Sequence, residues 1–464
     1  MRKNIIFLLL ISVLGFTSCD DELQLEPEDQ LTLPVSFSNK ETSLGVLTGA
    51  YSAAQQDDVL NGTRQAIADW MADNVDFVGS FPTFQDISAF TQLSDNTSIQ
   101  AIWDDNYETI GATNLVIKYV PTVEDLDFTE DERAVAVGEA KFLRALVYFN
   151  MANIFSQPFS VTGGSNLSVP LVLEPFDAEV QFPSRATLNE VYNQIELDLM
   201  DAAAVLGDSD NSRASKGAAE GLLSRLYLYK GEYAKAADYS NRVIQNSAYT
   251  LATDFSFYNT QDSEFVFTLV NTSADGQDSG QGFSGLYNPV PGGRGDAPFS
   301  DNLIAAYGGE SSIDKRYTEL NQVGNDAEGN ERVFTSKYPD GVTNADNAPV
   351  IRITEMYLTR AEANFREGTV IGDTPLNDIN KLRVRAGLAP LAAITSVDQI
   401  LEERRKELAF EGHRRMDLLR VLKPLRRPGM DDVEKSNPGD NKTIFPIPSR
   451  EVDLNPNLVQ NPGF

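Results

Sequence analysis

The residues able to do chemistry in this chain form a short list. There is one cysteine, Cys19, and one histidine, His413. A single cysteine rules out a disulfide framework and a Cys-rich zinc site, and a single histidine rules out any chemistry needing two imidazoles. Carboxylates alone are abundant, with 68 Asp and Glu. Glycoside hydrolysis needs two of them about 5–10 Å apart across a cleft, a pairing that so many acids produce by chance. Oxygen ligands for a structural calcium are plentiful, yet no stretch meets the EF-hand spacing, DAEGNE at 326–331 being too short. No metal or cofactor is therefore called for. GQGFSG at 280–285 matches GxGxxG through Gly280, Gly282 and Gly285. A dinucleotide fingerprint must lie directly between strand and helix, whereas here residues 271–279 intervene and Pro289 and Pro291 follow. His413 stands between Glu411 and Arg414, where cations disfavour a further positive charge; it reads as a structural hydrogen-bonding histidine. Arg294-Gly295-Asp296 is a tripeptide that chance supplies, and no adhesion role is assigned to it.

The elements that must position any site are mostly helical. The chain has 464 residues, 41% hydrophobic and 23% charged, an ordinary globular composition that allows two to four domains or one large helical one. Its formal charge of −30 argues against nucleic acid, since neutralising phosphates takes a surplus of Lys and Arg. Ala136, Ala140, Leu143, Val147, Met151 and Ile154 step by three or four residues and make one helix face. Leu188, Tyr192, Ile195, Leu199 and Ala202 make another, and so do Trp103, Tyr107, Ile110, Asn114 and Ile117. Trp103 reads as core, and the amide of Asn114, inside an apolar stripe, is expected to hydrogen-bond nearby backbone. Leu223, Ser224, Tyr227, Gly231, Tyr233 and Ala236 have near-tetratricopeptide spacing, with Gly231 at the turn. Such units bury their faces by stacking, so degenerate partners are expected at 133–155, 186–206 and 350–367. Phe265–Val270 reads as a strand. Residues 271–349 and 75–96 have loop composition, with at most short elements in the longer one. Helix returns at 376–386 and 397–422, and 401–427 holds nine Lys or Arg against five acids, the pattern of a salt-bridged helix facing acidic neighbours.

The N-terminus carries a targeting signal. Arg2 and Lys3 precede an apolar run, Ile5 to Leu14, too short to span a bilayer. Thr17 and Ser18 then lead into Cys19, an arrangement that resembles a bacterial lipobox, with Phe16 at a usually aliphatic position. Cys19 is the expected lipidation site. Asp20, Asp21 and Glu22 resemble the surface-export signal of Bacteroidetes lipoproteins. The expected organisation is a signal peptide at 1–18, a tether at 19–40 and one domain at 41–464, with helix pairs near 133–245 and 350–367 and a loop-rich insert at 271–349.

Six segments, in order, resemble the SusD/RagB family of Bacteroidetes nutrient-binding lipoproteins: WDDNYETIGATNLVI at 103–117, GEAKFLRALVYFNMANIF at 138–155, ITEMYLTRAEANFREG at 353–368, NKLRVRAGL at 380–388, ILEERRKELAFEGHRRMDLLR at 400–420 and FPIPSREVDLNPNLVQNPGF at 445–464. The resemblance implies a mostly α fold: a single domain on tetratricopeptide-like pairs, with long irregular loops and minor β. It implies an outer-membrane lipoprotein facing outward that takes up oligosaccharide or polysaccharide, does not cleave it, and works with a SusC-like TonB-dependent transporter. In that family the binding residues come from two irregular regions. Sugar recognition needs an aromatic face to stack on a ring and polar groups to meet hydroxyls. The candidates are Trp70, Asp73, Asn74 and Phe77 near the start of the first region, with Phe81 and Phe84 beyond, and Tyr287, Arg294, Asp296, Phe299 and Tyr338 in the second. The alternative readings are a peptide- or other-nutrient-binding member of the family, a surface glycoside hydrolase, and a protein-binding scaffold.

Overall fold

The structure is a computed structural model that describes residues 32–176, 179–208, 210–277 and 280–464. Cys19 and the leader lie outside the described residues. The longest helices are α1 (Lys40–Ala54), α4 (Thr97–Tyr119), α5 (Glu130–Phe155), α6 (Leu188–Val205), α7 (Lys216–Lys230), α8 (Tyr233–Gln245) and α11 (Ile353–Glu367). Between and after them lie α2 (Thr63–Trp70), α3 (Pro82–Ser88), α9 (Gly282–Tyr287), α10 (Asp301–Tyr307), α12 (Pro375–Arg385), α13 (Val397–Leu408) and α14 (Arg414–Leu419). Among the described residues no helix is long and apolar enough to cross a membrane.

The long helices start where their caps dictate. Thr129 and Glu132 form a capping box at α5, and Thr187 and Glu190 repeat it at α6. Glu130, Asp131 and Glu132 also place negative charge at the positive end of the α5 dipole. The helices pack in sequence, α1 on α4, α4 on α5, α5 on α6, α6 on α7, α7 on α8, and α8 on α11. In the α7–α8 pair the chain turns at Gly231, which adopts φ +76°. Ser224 and Ser240 then meet at 2.5 Å between their Oγ atoms, an approach that only small side chains permit. The stripe residues expected on α5 and α6 are all buried. Asn114 donates to the Val172 carbonyl at 2.9 Å and accepts from Arg144 at 2.8 Å, so its polar atoms are met inside the core.

Two small sheets complete the fold. β1 (Phe265–Leu269) pairs antiparallel with β4 (Ala348–Arg352), and β2 (Asn321–Asn325) forms a hairpin with β3 (Glu331–Thr335). The hairpin, α9 and α10 give the loop-rich 271–349 segment more regular structure than its composition suggests. Four further differences concern boundaries. The irregular 75–96 region contains α3. Leu33–Ser36, inside the expected tether, is a helical turn, with Pro34 in its first turn, where a missing N–H leaves nothing unsatisfied. The helix expected at 376–386 ends at Arg385. The one expected at 397–422 breaks between Leu408 and Arg414, because Phe410 and Gly412 take φ +66° and +80°. Gly412 packs there against α2; a Cβ on it would lie 3.0 Å from Gln65 Cγ.

The basic island is an interior ion web. Arg404 donates to Asp417 at 2.8 Å, Arg420 to Glu362 at 2.7 Å, and Arg352 to Glu411 at 2.8 Å. Arg316 is held by Asp314, Glu403 and Glu407. These side chains are nearly solvent-free, so each charge depends on its partner.

Candidate functional site: an aromatic cleft where the two irregular regions meet

Residues 74–78, which follow α2, run antiparallel to 296–300. Val78 donates to the Asp296 carbonyl at 2.9 Å, Asp76 to Pro298 at 3.1 Å, and Ser300 to Asn74 at 2.9 Å. The two irregular regions are thereby joined backbone to backbone. A Cβ on Gly79 would stand 2.6 Å from both Asp296 Cγ and Phe77 Cζ, so a larger residue would have to displace those two side chains.

Beside the junction opens a cleft of about 620 Å³. Phe77 and Asp76 line one wall, Arg426 and the 429–432 loop another, and Glu328, at the tip of the β2–β3 hairpin, reaches it as well. A chain of rings runs from its base: Phe77 to Trp70 at 5.2 Å, Trp70 to Phe84 at 4.6 Å, Phe84 to Phe81 at 5.0 Å. Trp70 and Phe84 are buried, Phe77 is partly exposed, and Phe81 is 44% exposed. The Arg294 guanidinium lies 5.2 Å from the Phe81 and Phe84 ring centres and pairs with Asp296 at 2.6 Å. Burial pushes the Asp296 and Asp76 carboxyls up, while Arg294 and Arg332, the latter 2.6 Å from Asp76, work against the rise. Arg426 fixes the wall by donating to the carbonyls of Trp70, Ala72 and Ser88. The arrangement offers exposed apolar ring surface beside a cation and several acceptors.

Phe77, Phe81, Phe84, Arg294 and Asp296 therefore come together over Trp70. The other candidates are placed elsewhere. Tyr287, Phe299 and Tyr338 are buried, in a ring cluster with Phe283 and Phe410, and their faces are covered by protein. The Tyr287 hydroxyl donates to Asp69 at 2.7 Å and that of Tyr338 to the Phe410 carbonyl at 2.8 Å. Asp73 is 1% exposed and accepts from Arg414 at 2.6 Å and from Arg427 at 2.5 Å. Burial alone would raise its carboxyl, but Arg414, Arg405 and Arg427 outweigh burial and hold it well below the usual range. Asn74 is fully buried between Asp69 and Arg405. In this conformation these five brace the site from behind and present no surface to a ligand. Trp103 is buried, as its stripe implies, under a second groove of more apolar lining that includes Phe176 and Phe182. His413 is buried and pushed down to about 3 by that burial, hence neutral.

Asp76, Arg426, Glu328 and Asp431 were not singled out from sequence. Arg426 belongs to the basic island and Glu328 to DAEGNE, but neither pattern says which cleft the residue will wall. Among the described residues no group of three or more His, Cys, Asp or Glu side chains is placed to hold a metal ion.

Two family models match the chain. One, described as the SusD family, covers residues 329–464, and the other, described as starch-binding associating with outer membrane, covers 23–228. The chain is similar to SusD-like protein P2 of Formosa agariphila, 26% identical over 533 aligned positions spanning all of both proteins. It is 32% identical over 144 residues to the starch-binding protein SusD of Bacteroides thetaiotaomicron, a match covering 28% of this chain and 23% of that one. A SusD superfamily protein of Bacteroides thetaiotaomicron superposes with a TM-score of 0.84 at 26% identity, covering 93% of this chain and all of the other. The two models account for both ends of the chain, and the relatives extend the likeness across its whole length: the chain belongs to the SusD/RagB family.

Proposed function

We propose that this protein is a non-enzymatic, surface-exposed glycan-binding lipoprotein of the outer membrane. It captures oligosaccharide or polysaccharide at the Phe77–Phe81 cleft and passes it to a SusC-like TonB-dependent transporter. Acyl chains on Cys19 anchor it. The observation that carries the reading is the meeting of the two irregular regions at one cleft, where Phe77 lies beside Asp76 and Glu328 and a chain of rings leads from it to the exposed Phe81 and Arg294. Ring faces stack on the C–H face of a sugar, and charged and amide groups meet its hydroxyls. The relative named for starch binding and the family model described by starch and the outer membrane support the same reading. The acidic balance of the chain suits neutral glycans.

The test is affinity electrophoresis through gels containing α-glucan, β-1,3-glucan, fructan, mannan or xylan. Retardation by one polymer, without cleavage products and diminished by Phe81→Ala, is the expected result. No retardation by any polymer, or products released from one, overturns the reading.

A further inference from the structure

α2, α5 and α7, with the turn before α14, enclose an interior cavity of about 30 Å³. This is room for a water molecule or two, or one halide-sized ion. Its walls are rich in unmet donors. Arg64, partly exposed as a residue, makes no hydrogen bond or ion pair with a described residue, and its Nε is buried without a partner. Asn150, 2% exposed, also has its Nδ2 buried without a partner. Arg225 adds a second guanidinium to the lining. The surrounding acids are committed elsewhere: Glu355 to Arg225 at 2.6 Å, Asp417 to Arg404 at 2.8 Å, and Glu411 to Lys337 at 2.6 Å and Arg352 at 2.8 Å. Arg415 is likewise without a carboxylate and donates to the carbonyls of Asn153 and Thr443. Burial, and then the neighbouring Arg225, lower Arg64 to about 10. Unmet donors away from water are costly, and a cation with no carboxylate partner adds to the cost the more it is withdrawn from solvent. Water would meet the donors and leave the charge; an anion answers both.

We propose that this cavity binds one small monovalent anion of the chloride class, held by Arg64 Nε and Asn150 Nδ2. The ion braces α2, which carries Trp70 under the cleft, onto α5. The proposal is independent of what the cleft binds.

The first measurement is thermal unfolding of the purified protein in sodium chloride and in sodium gluconate at matched ionic strength, gluconate being too large for the cavity. The expected result is a saturable rise in Tm of about 1–3 °C in chloride, absent in Arg64→Met. Equal melting in the two salts overturns the proposal. The second uses the unmodified protein, so a misfolded variant cannot blur it. Crystals soaked in bromide are expected to show an anomalous peak within hydrogen-bond distance of Arg64 and Asn150. A cavity without that peak at saturating bromide overturns the proposal as well.

Discussion

Asp73 is where charge and site architecture meet, and Asp73→Asn is the most informative change. The carboxylate joins Arg414 of α14 and Arg427, the neighbour of Arg426 in the chain, to the start of the 74–78 segment, and Arg405 of α13 donates to its backbone carbonyl at 2.7 Å. Asparagine keeps the shape and removes the charge, leaving Arg405 and Arg414 buried beside one another. Breaking a buried pair from one side costs about 3–5 kcal/mol. At about 2.1 cal/mol/K per residue, the roughly 430 described residues give an unfolding entropy near 0.9 kcal/mol/K. The expected drop in Tm is therefore about 3–6 °C. Arg414→Gln should match it, since it opens the same pair. Arg427→Gln should not: its side chain is 39% exposed, and a pair of that kind is worth less than about 1 kcal/mol. The sign of the pH dependence follows from the depressed carboxyl. Its contribution is present above the ordinary carboxylate pKa of about 4 and is lost as pH falls further. Circular-dichroism melts at pH 7 and in the acid limb should show the gap between parent and Asp73→Asn closing below about pH 4. A Tm for Asp73→Asn within about 1 °C of the parent at pH 7, or a loss no larger than that of Arg427→Gln, would refute the argument.

Three further outcomes are expected. Phe81→Ala should weaken glycan retardation at nearly unchanged Tm, whereas Tyr287→Ala should destabilise by about 3–5 kcal/mol, as seen by denaturant titration. Gly79→Ala should impair retardation more than its melting point, because the added carbon collides with Asp296 and Phe77 at the cleft junction and not with the helical core. Asp58 is raised to about 7 by burial and then by Asp57. The native state thus holds its proton more tightly than the unfolded chain, and stability falls as pH rises from about 4 to 7. Asp58→Asn should accordingly raise Tm at pH 8 and leave it nearly unchanged at pH 4.

The helices were legible because local rules write them. The stripes on α5 and α6 follow the helical period, and Gly231 marks a turn that needs a left-handed residue. The family segments at 138–155 and 353–368 then fixed the fold class. The hairpin at 321–335 was hidden because β2, NQVGN, carries a single apolar residue and β3, ERVFT, two adjacent ones, so no apolar alternation announces it. The cleft was half legible. Sequence pointed to two loops that the fold brings together, but whether an aromatic presents its face or buries it is decided by distant chain. Phe410, reached only through the break after α13, is what covers Tyr287 and Phe299. The interior arginines were read only in part for a related reason: 401–427 announced a salt-bridged helix, but how deeply Arg352, Arg360 and Arg404 lie depends on where the acids that receive them are placed.

The β1–β4 ladder has an evolutionary consequence. It pins residue 269 to 348, and just beyond it Asn271 bonds Asn347 and the Asp346 carbonyl. Everything from there to the hairpin and back is a loop whose two ends are already clasped. For such a loop, doubling the length adds only about 0.6 kcal/mol of closure entropy. The hairpin tip that supplies Glu328 can therefore be lengthened, shortened or exchanged with little burden on the helical stack, as a lens is changed on a fixed mount, while Tyr287 and Tyr338, bonded to Asp69 and Phe410, belong to the mount.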